Sequence, residues 1–123
     1  MKKKILIADD DKNICEVLRI WLEQEGYEIF LAYDGARTLK ITQENKPDLI
    51  LLDIMMPYVN GFHICQELTS SPDYSPKIVL ITARGEERDK LIGQGVGADL
   101  YITKPFNPEE VVIKVNQLLR PSK

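Results

Sequence analysis

Five short apolar runs, at Ile5 to Ala8, Tyr27 to Ala32, Leu49 to Leu52, Ile78 to Ile81 and Leu100 to Ile102, constrain this chain more than any other feature. Each is bounded by charged residues, Gly or Pro, and runs this short between such breakers read as strands. The third and fourth are continuously apolar, as expected of parallel strands covered on both faces. Helical spacing fills the gaps. Ile14, Val17, Leu18, Trp21 and Leu22 recur at i, i+3, i+4, i+7 and i+8, opened by aspartates and closed by Gly26. Asn107, Pro108 and Glu110 supply an N-cap, an N1 proline and an N3 acid ahead of Val111, Val115, Leu118 and Leu119. Weaker stripes run from Asp34 to about Asn45 and from Gly61 to about Ser70, with stops at Pro47 and Pro72. The poorest helix, around Arg88 to Gln94, holds Gly93 and is followed by Gly95 and Gly97. Strand alternating with helix predicts right-handed crossovers, hence an α/β doubly wound parallel sheet of five strands flanked by five helices.

The 123 residues suit one domain over 1–123, with 120–123 as the start of a linker. At 44% hydrophobic residues the core needs no disulfide or metal staple. The net charge of −3 offers no basic footprint, which argues against direct nucleic-acid binding. Cys15 and Cys65 lack metal-ligand spacing and read as packing residues in a reducing cytosol. The apolar run after Met1 to Lys4 is too brief for a signal peptide, and no run approaches a membrane span of about 18 residues. The expectation is a cytoplasmic protein with no membrane partner.

In doubly wound folds ligands bind outside the carboxyl ends of the strands. Asp9, Asp10 and Asp11 follow the first run, Asp53 the third, Thr82 the fourth, and Thr103 and Lys104 the fifth. Two like charges 4 Å apart repel by about 4 kcal/mol at an effective dielectric near 20, so Asp9, Asp10 and Asp53 on one rim call for a divalent cation. Mg²⁺ suits carboxylates completed by water and phosphoryl oxygens. With the charge of Lys104 and the hydroxyl of Thr82, the set describes a phosphoryl-transfer site.

The motifs Ile5 to Asp11, Pro47 to Pro57, Asn60-Gly61, Ile81-Thr82-Ala83 and Gly97 to Phe106 together resemble the receiver domain of two-component response regulators over essentially the whole chain. The resemblance implies a flavodoxin-like strand order, 2-1-3-4-5. It implies that Asp53 is the phosphoacceptor, taking a phosphoryl group from a histidine kinase or histidine phosphotransfer protein. Asp10, Asp53 and the backbone carbonyl of Met55 would hold Mg²⁺, with Asp9 acting through metal-bound water. Lys104 would pair with a phosphoryl oxygen through a turn fixed by a cis Lys104-Pro105 peptide, and Thr82 would bond another oxygen. Tyr101 matches the family's switch aromatic, responding to Thr82. The output would pass to an effector protein or fused output domain through the face of the fourth helix, fifth strand and fifth helix, including Leu91, Val96, Tyr101 and Phe106. Such a domain is a switch, not a turnover enzyme. The apolar Met55 and the basic Arg84 imply slow to moderate self-dephosphorylation. The last helix lacks the Arg-rich pattern of receivers that dimerise ahead of winged-helix domains, which leaves open a stand-alone receiver or a piece of a longer regulator.

Competing readings are weaker. Asp9-Asp10-Asp11 contains the Asp-x-Asp of haloacid-dehalogenase-like phosphatases, with Asp9 as nucleophile and Asp11 as general acid, but a cap insertion and a late acidic pair are missing. A flavin module would need N–H groups where this first loop is acidic. Asp11 reads as a helix cap, His63 as a solvated surface residue, and Gly93, Gly95 and Gly97 as no phosphate loop, because no Lys-Ser/Thr follows.

Overall fold

A computed structural model of the chain describes residues 2–56, 60–83, 95 and 97–120. The strands are β1 (Lys4–Ala8), β2 (Glu28–Ala32), β3 (Leu49–Asp53), β4 (Lys77–Ala83) and β5 (Leu100–Lys104). Among the described residues the helices are α1 (Lys12–Gln24), α2 (Gly35–Asn45), α3 (Gly61–Leu68) and α4 (Pro108–Leu119). The helix expected around Arg88 to Gln94 lies outside the described residues. The strands form one parallel sheet in the order β2-β1-β3-β4-β5, as expected.

Strand periodicity of two divides the core into two layers. Ile5, Ile7, Leu49, Leu51, Val79, Ile81 and Ile102 point to one face, where Cys15, Leu18 and Leu22 of α1 and Val111 and Val115 of α4 cover them. Leu6, Ala8, Ile50, Leu52, Ile78 and Leu80 point to the other, against Ile41 of α2 and Ile64, Cys65 and Leu68 of α3. All five residues of β3 are buried, which is the reason the first four, Leu49 to Leu52, are apolar without a break.

Each helix starts on a side-chain cap. Asp11 Oδ1 accepts from the N–H groups of Asn13 and Ile14 at 2.9 and 3.3 Å, Asp34 from Arg37 at 2.8 Å, Asn60 from Phe62 at 2.9 Å, and Asn107 from Glu109 at 2.9 Å. Lys46 ends α2 in the left-handed region at φ 48°, where its N–H reaches Thr42 O at 2.9 Å.

Three strands run past their expected carboxyl ends, and these differences move the chemistry. Asp53 is the last residue of β3, Thr82 lies inside β4, and Thr103 and Lys104 inside β5. The ladder continues because Thr82 pairs with Thr103 and Ala83 with Lys104. Polar residues thus extend the strands beyond their apolar runs and are held by ladder geometry instead of loop conformation.

Candidate functional site

At the carboxyl edge of the sheet, β1 delivers Asp9, whose side chain is fully buried, and Asp10, which is exposed. The adjacent β3 delivers Asp53, only 2% exposed. A carboxylate oxygen from each of Asp9, Asp10 and Asp53 lies within 4.8 Å of the other two. From β5, Lys104 Nζ reaches between the buried pair. It donates to Asp53 Oδ2 at 3.1 Å and lies 3.1 Å from Asp9 Oδ2, an ion pair without hydrogen-bond alignment. The second oxygens are held by backbone: Asp9 Oδ1 accepts from the Asp11 N–H at 2.9 Å, and Asp53 Oδ1 from the Met55 N–H at 2.8 Å.

Burial, and next among the raising influences the charge of Asp53, lifts the Asp9 carboxyl to about 6, against the lowering effect of the Asp11 N–H and Lys104. Burial alone would lower Lys104, but its hydrogen bond to Asp53 and the nearby charges of Asp53 and Asp9 outweigh this and hold its pKa above the ordinary value. The ammonium therefore stays protonated at neutral pH, and one positive charge faces three carboxylates. Asp9 Oδ2 is buried and has no hydrogen bond among the described residues. An acceptor oxygen of that kind beside two further carboxylates fits a hard divalent cation.

Beside the carboxylates opens a cleft of about 420 Å³. Asp53, Thr82 and Lys104 line it together with Ile14, Met55, Ala83, Pro105 and Phe106. The Lys104-Pro105 peptide at its rim is cis. Thr82 is 1% exposed, and its Oγ1 finds no hydrogen-bond partner among the described residues. The Tyr101 hydroxyl is likewise buried and unpaired among them, with the ring packed against the layer under α3. Unsatisfied buried hydroxyls are costly, and among the described residues these two lie on the neighbouring strands β4 and β5.

Asp9, Asp10, Asp53, Thr82 and Lys104 thus gather at one edge, with Met55 and Pro105 beside them, while Asp11 and His63 serve elsewhere. The Asp11 carboxylate caps α1. The His63 side chain is solvated, with its Nε2 3.5 Å from Glu67. Arg84, Leu91 and Val96 lie outside the described residues. The apolar wall formed by Ile14 and Phe106 was not anticipated as part of the site, because partly buried apolar residues give no signal of facing a cleft.

Two other acids in the motifs work at the opposite edge. Asp48 Oδ2 accepts from the Lys4 N–H at 2.8 Å, while the Asp48 N–H donates to Lys4 O at 2.7 Å and its C=O accepts from the Lys77 N–H at 3.0 Å. Asp99 clasps Ile78 in the same way, through Oδ2 and its own N–H, both at 2.8 Å. These side chains tie the strand starts together. Gly61 supports the site from below: a Cβ there would lie 2.4 Å from the Ile54 Cα, so only glycine lets α3 approach the residue after Asp53.

The family model for the response regulator receiver domain matches residues 5–116. The alkaline phosphatase synthesis transcriptional regulatory protein PhoP of Bacillus subtilis (strain 168) is 44% identical over 122 residues, covering 99% of this chain and 50% of that protein. The response regulator GtcR of Aneurinibacillus migulanus is 42% identical over 120 residues, covering 98% of this chain and 49% of that protein. The chain therefore spans about half the length of these curated relatives. Among solved structures, a two-component response regulator from Clostridium difficile superposes with a TM-score of 0.89 at 34% identity, covering 97% of each chain.

Proposed function

The chain belongs to the response regulator receiver domain family, and from that premise we propose that it is a phosphorylation-activated switch whose phosphoacceptor is Asp53. The observation that carries this reading is Lys104 Nζ held between the buried carboxylates of Asp53 and Asp9, at 3.1 Å from each, on the rim of an open cleft. The single domain takes its phosphoryl group from a histidine kinase or a histidine phosphotransfer protein.

Asp10, Asp53 and the backbone carbonyl of Met55 would hold Mg²⁺, with Asp9 engaging it through water. When bound, the cation supplies neutralisation of negative charge on the transferring phosphoryl group. Lys104 orients Asp53 and follows the charge onto a phosphoryl oxygen. The Met55 N–H holds Asp53 Oδ1, so the acceptor needs little reorganisation. Thr82, whose hydroxyl has no partner among the described residues, hydrogen-bonds a further phosphoryl oxygen, and Tyr101 responds to that movement. The domain assists its own phosphorylation and dephosphorylation without turning over a separate substrate. The signal leaves through the surface that includes β5 and α4, towards an effector protein or a fused output domain, with no direct contact to nucleic acid by this domain. The reading places it in the cytoplasm. Among the described residues no helix is long and apolar enough to cross a membrane.

Incubation with Mg²⁺ and acetyl phosphate, followed by peptide mapping by mass spectrometry, tests the assignment. One phosphoryl adduct, on Asp53 and lost in Asp53→Asn, is expected. An adduct attached to Asp9, with turnover of a phosphoester, would instead indicate the phosphatase chemistry. The engagement of Asp11 as a cap, accepting two N–H groups, argues against its use as a general acid there.

A further inference from the structure

Among the described residues the sulfur atoms are unequally guarded. Cys15 and Cys65 are fully buried, and Cys15 Sγ donates to the Asp9 carbonyl oxygen at 3.2 Å. Met56 is 3% exposed and belongs to the core layer that α2 and α3 cover. The neighbouring Met55 is 67% exposed, the most open of the large apolar side chains described. Methionine ordinarily fills gaps in a core, and here it stands in solvent instead. Met55 is also tied to the site by position. It lines the same cleft as Asp53, Thr82 and Lys104, and its N–H holds Asp53 Oδ1 at 2.8 Å, which fixes the root of its side chain next to the acceptor. Access decides which sulfur an oxidant reaches, so the most reachable of these four is the one beside the acceptor.

We propose that Met55 is a reversible oxidation site, converted to its sulfoxide by hydroperoxides, and that the added oxygen slows phosphoryl transfer to Asp53. This rests on the reading of Asp53 as phosphoacceptor. In the oxidation step the Met55 sulfur lone pair attacks one peroxide oxygen, forming an S–O bond as the O–O bond breaks. Sulfur loses two electrons and the peroxide gains them. With hydrogen peroxide the departing oxygen takes the proton of the transferred one and leaves as water. Methionine sulfoxide reductases return the thioether, so the change can be undone. A thioether is a weak hydrogen-bond acceptor, whereas a sulfoxide is polar and presents an oxygen to any donor nearby. Lys104 and Thr82 line the cleft with Met55, and the proposed function assigns both to phosphoryl oxygens. Three rotatable bonds let the Met55 side chain carry its new oxygen towards them. A donor engaged by the sulfoxide is lost to the transferring phosphoryl group, and the partial negative charge of that oxygen opposes an anionic phosphodonor.

The test treats the intact, folded chain with hydrogen peroxide and follows oxygen uptake at each sulfur by peptide mapping with mass spectrometry. Initial rates of Asp53 phosphorylation by acetyl phosphate with Mg²⁺ are measured before treatment, after it, and after repair by methionine sulfoxide reductase. Met55 is expected to gain an oxygen well ahead of Met56, Cys15 and Cys65. The phosphorylation rate should fall about fivefold on oxidation, the scale of one diverted hydrogen bond, and recover on repair. Met55→Leu carries no sulfur at that position, and its own rates before and after peroxide should be equal. That comparison separates an effect through Met55 from damage elsewhere, Met1 included. Met55 oxidised no faster than Met56, an unchanged rate once Met55 is oxidised, a loss that repair does not reverse, or an equal loss in Met55→Leu overturns the proposal. No adduct on Asp53 of the untreated chain would overturn the phosphoacceptor reading itself, a separate and recognisable result.

Discussion

Asp9 shows how a residue can be costly to the fold and useful to the site. Its carboxyl is pushed up to about 6 by burial and by Asp53, against an ordinary 3.8. A carboxyl raised in the folded state contributes stability that is full below its unfolded pKa and is lost as pH rises through the folded one. The metal-free protein should therefore lose stability between about pH 4 and pH 6, on the order of 1 to 3 kcal/mol from this group. Asp9→Asn should remove that slope and make the metal-free protein more stable at pH 7, as read from urea midpoints across the range. An unchanged slope in the variant would show that Asp9 is not the group responsible. Asp9 and Asp53 were legible in the sequence because acids rarely close an apolar strand. The surroundings of the Thr82 and Tyr101 hydroxyls were not, since the partners a buried hydroxyl meets depend on what neighbouring strands bring to it.

At the scale of elements, caps and apolar stripes made four helices readable, and Asp11, Asp34, Asn60 and Asn107 all cap as their residue types suggest. Strand ends were misplaced by one or two residues because Thr82, Thr103 and Lys104 are polar yet continue the β4 to β5 ladder. Pairing with a neighbour decided the boundary there, and propensity did not. The third helix shows a similar contest. Alanine is a better helix former than glycine by about 1 kcal/mol, yet Gly61→Ala places a Cβ 2.4 Å from the Ile54 backbone. Overpacking should win, and the variant should be destabilised by about 1 to 3 kcal/mol in chemical denaturation. Because Ile54 follows Asp53, its phosphorylation rate should fall as well. A variant as stable as the parent would mean that α3 shifts freely and does not brace the acceptor.

For the whole molecule, the doubly wound architecture followed from periodicity, whereas the strand order was accessible only through family resemblance. Hydrophobic pattern says which faces are buried, and it does not say which strand lies beside which. The order matters because it places β1, β3, β4 and β5 side by side and so brings residues as distant as Asp9 and Lys104 to one edge. A cation on that edge binds the folded state alone. Mg²⁺ at about 100 times its Kd should add about 2.7 kcal/mol, or about 10 °C in Tm for a domain of this size. The gain should shrink in Asp10→Asn, and a Tm insensitive to Mg²⁺ would deny the site a metal.

The most direct measurement joins that site to the switch: backbone amide NMR of the intact chain titrated with Mg²⁺ and beryllofluoride, a stable mimic of a phosphoryl group. The account predicts saturable, Mg²⁺-dependent shifts at Asp9 to Asp11 and Asp53 to Met56, extending to Thr82, Ala83 and Tyr101 through Lys104, and absent in Asp53→Asn. Shifts confined to Asp9 to Asp11, or persisting undiminished in Asp53→Asn, would contradict it.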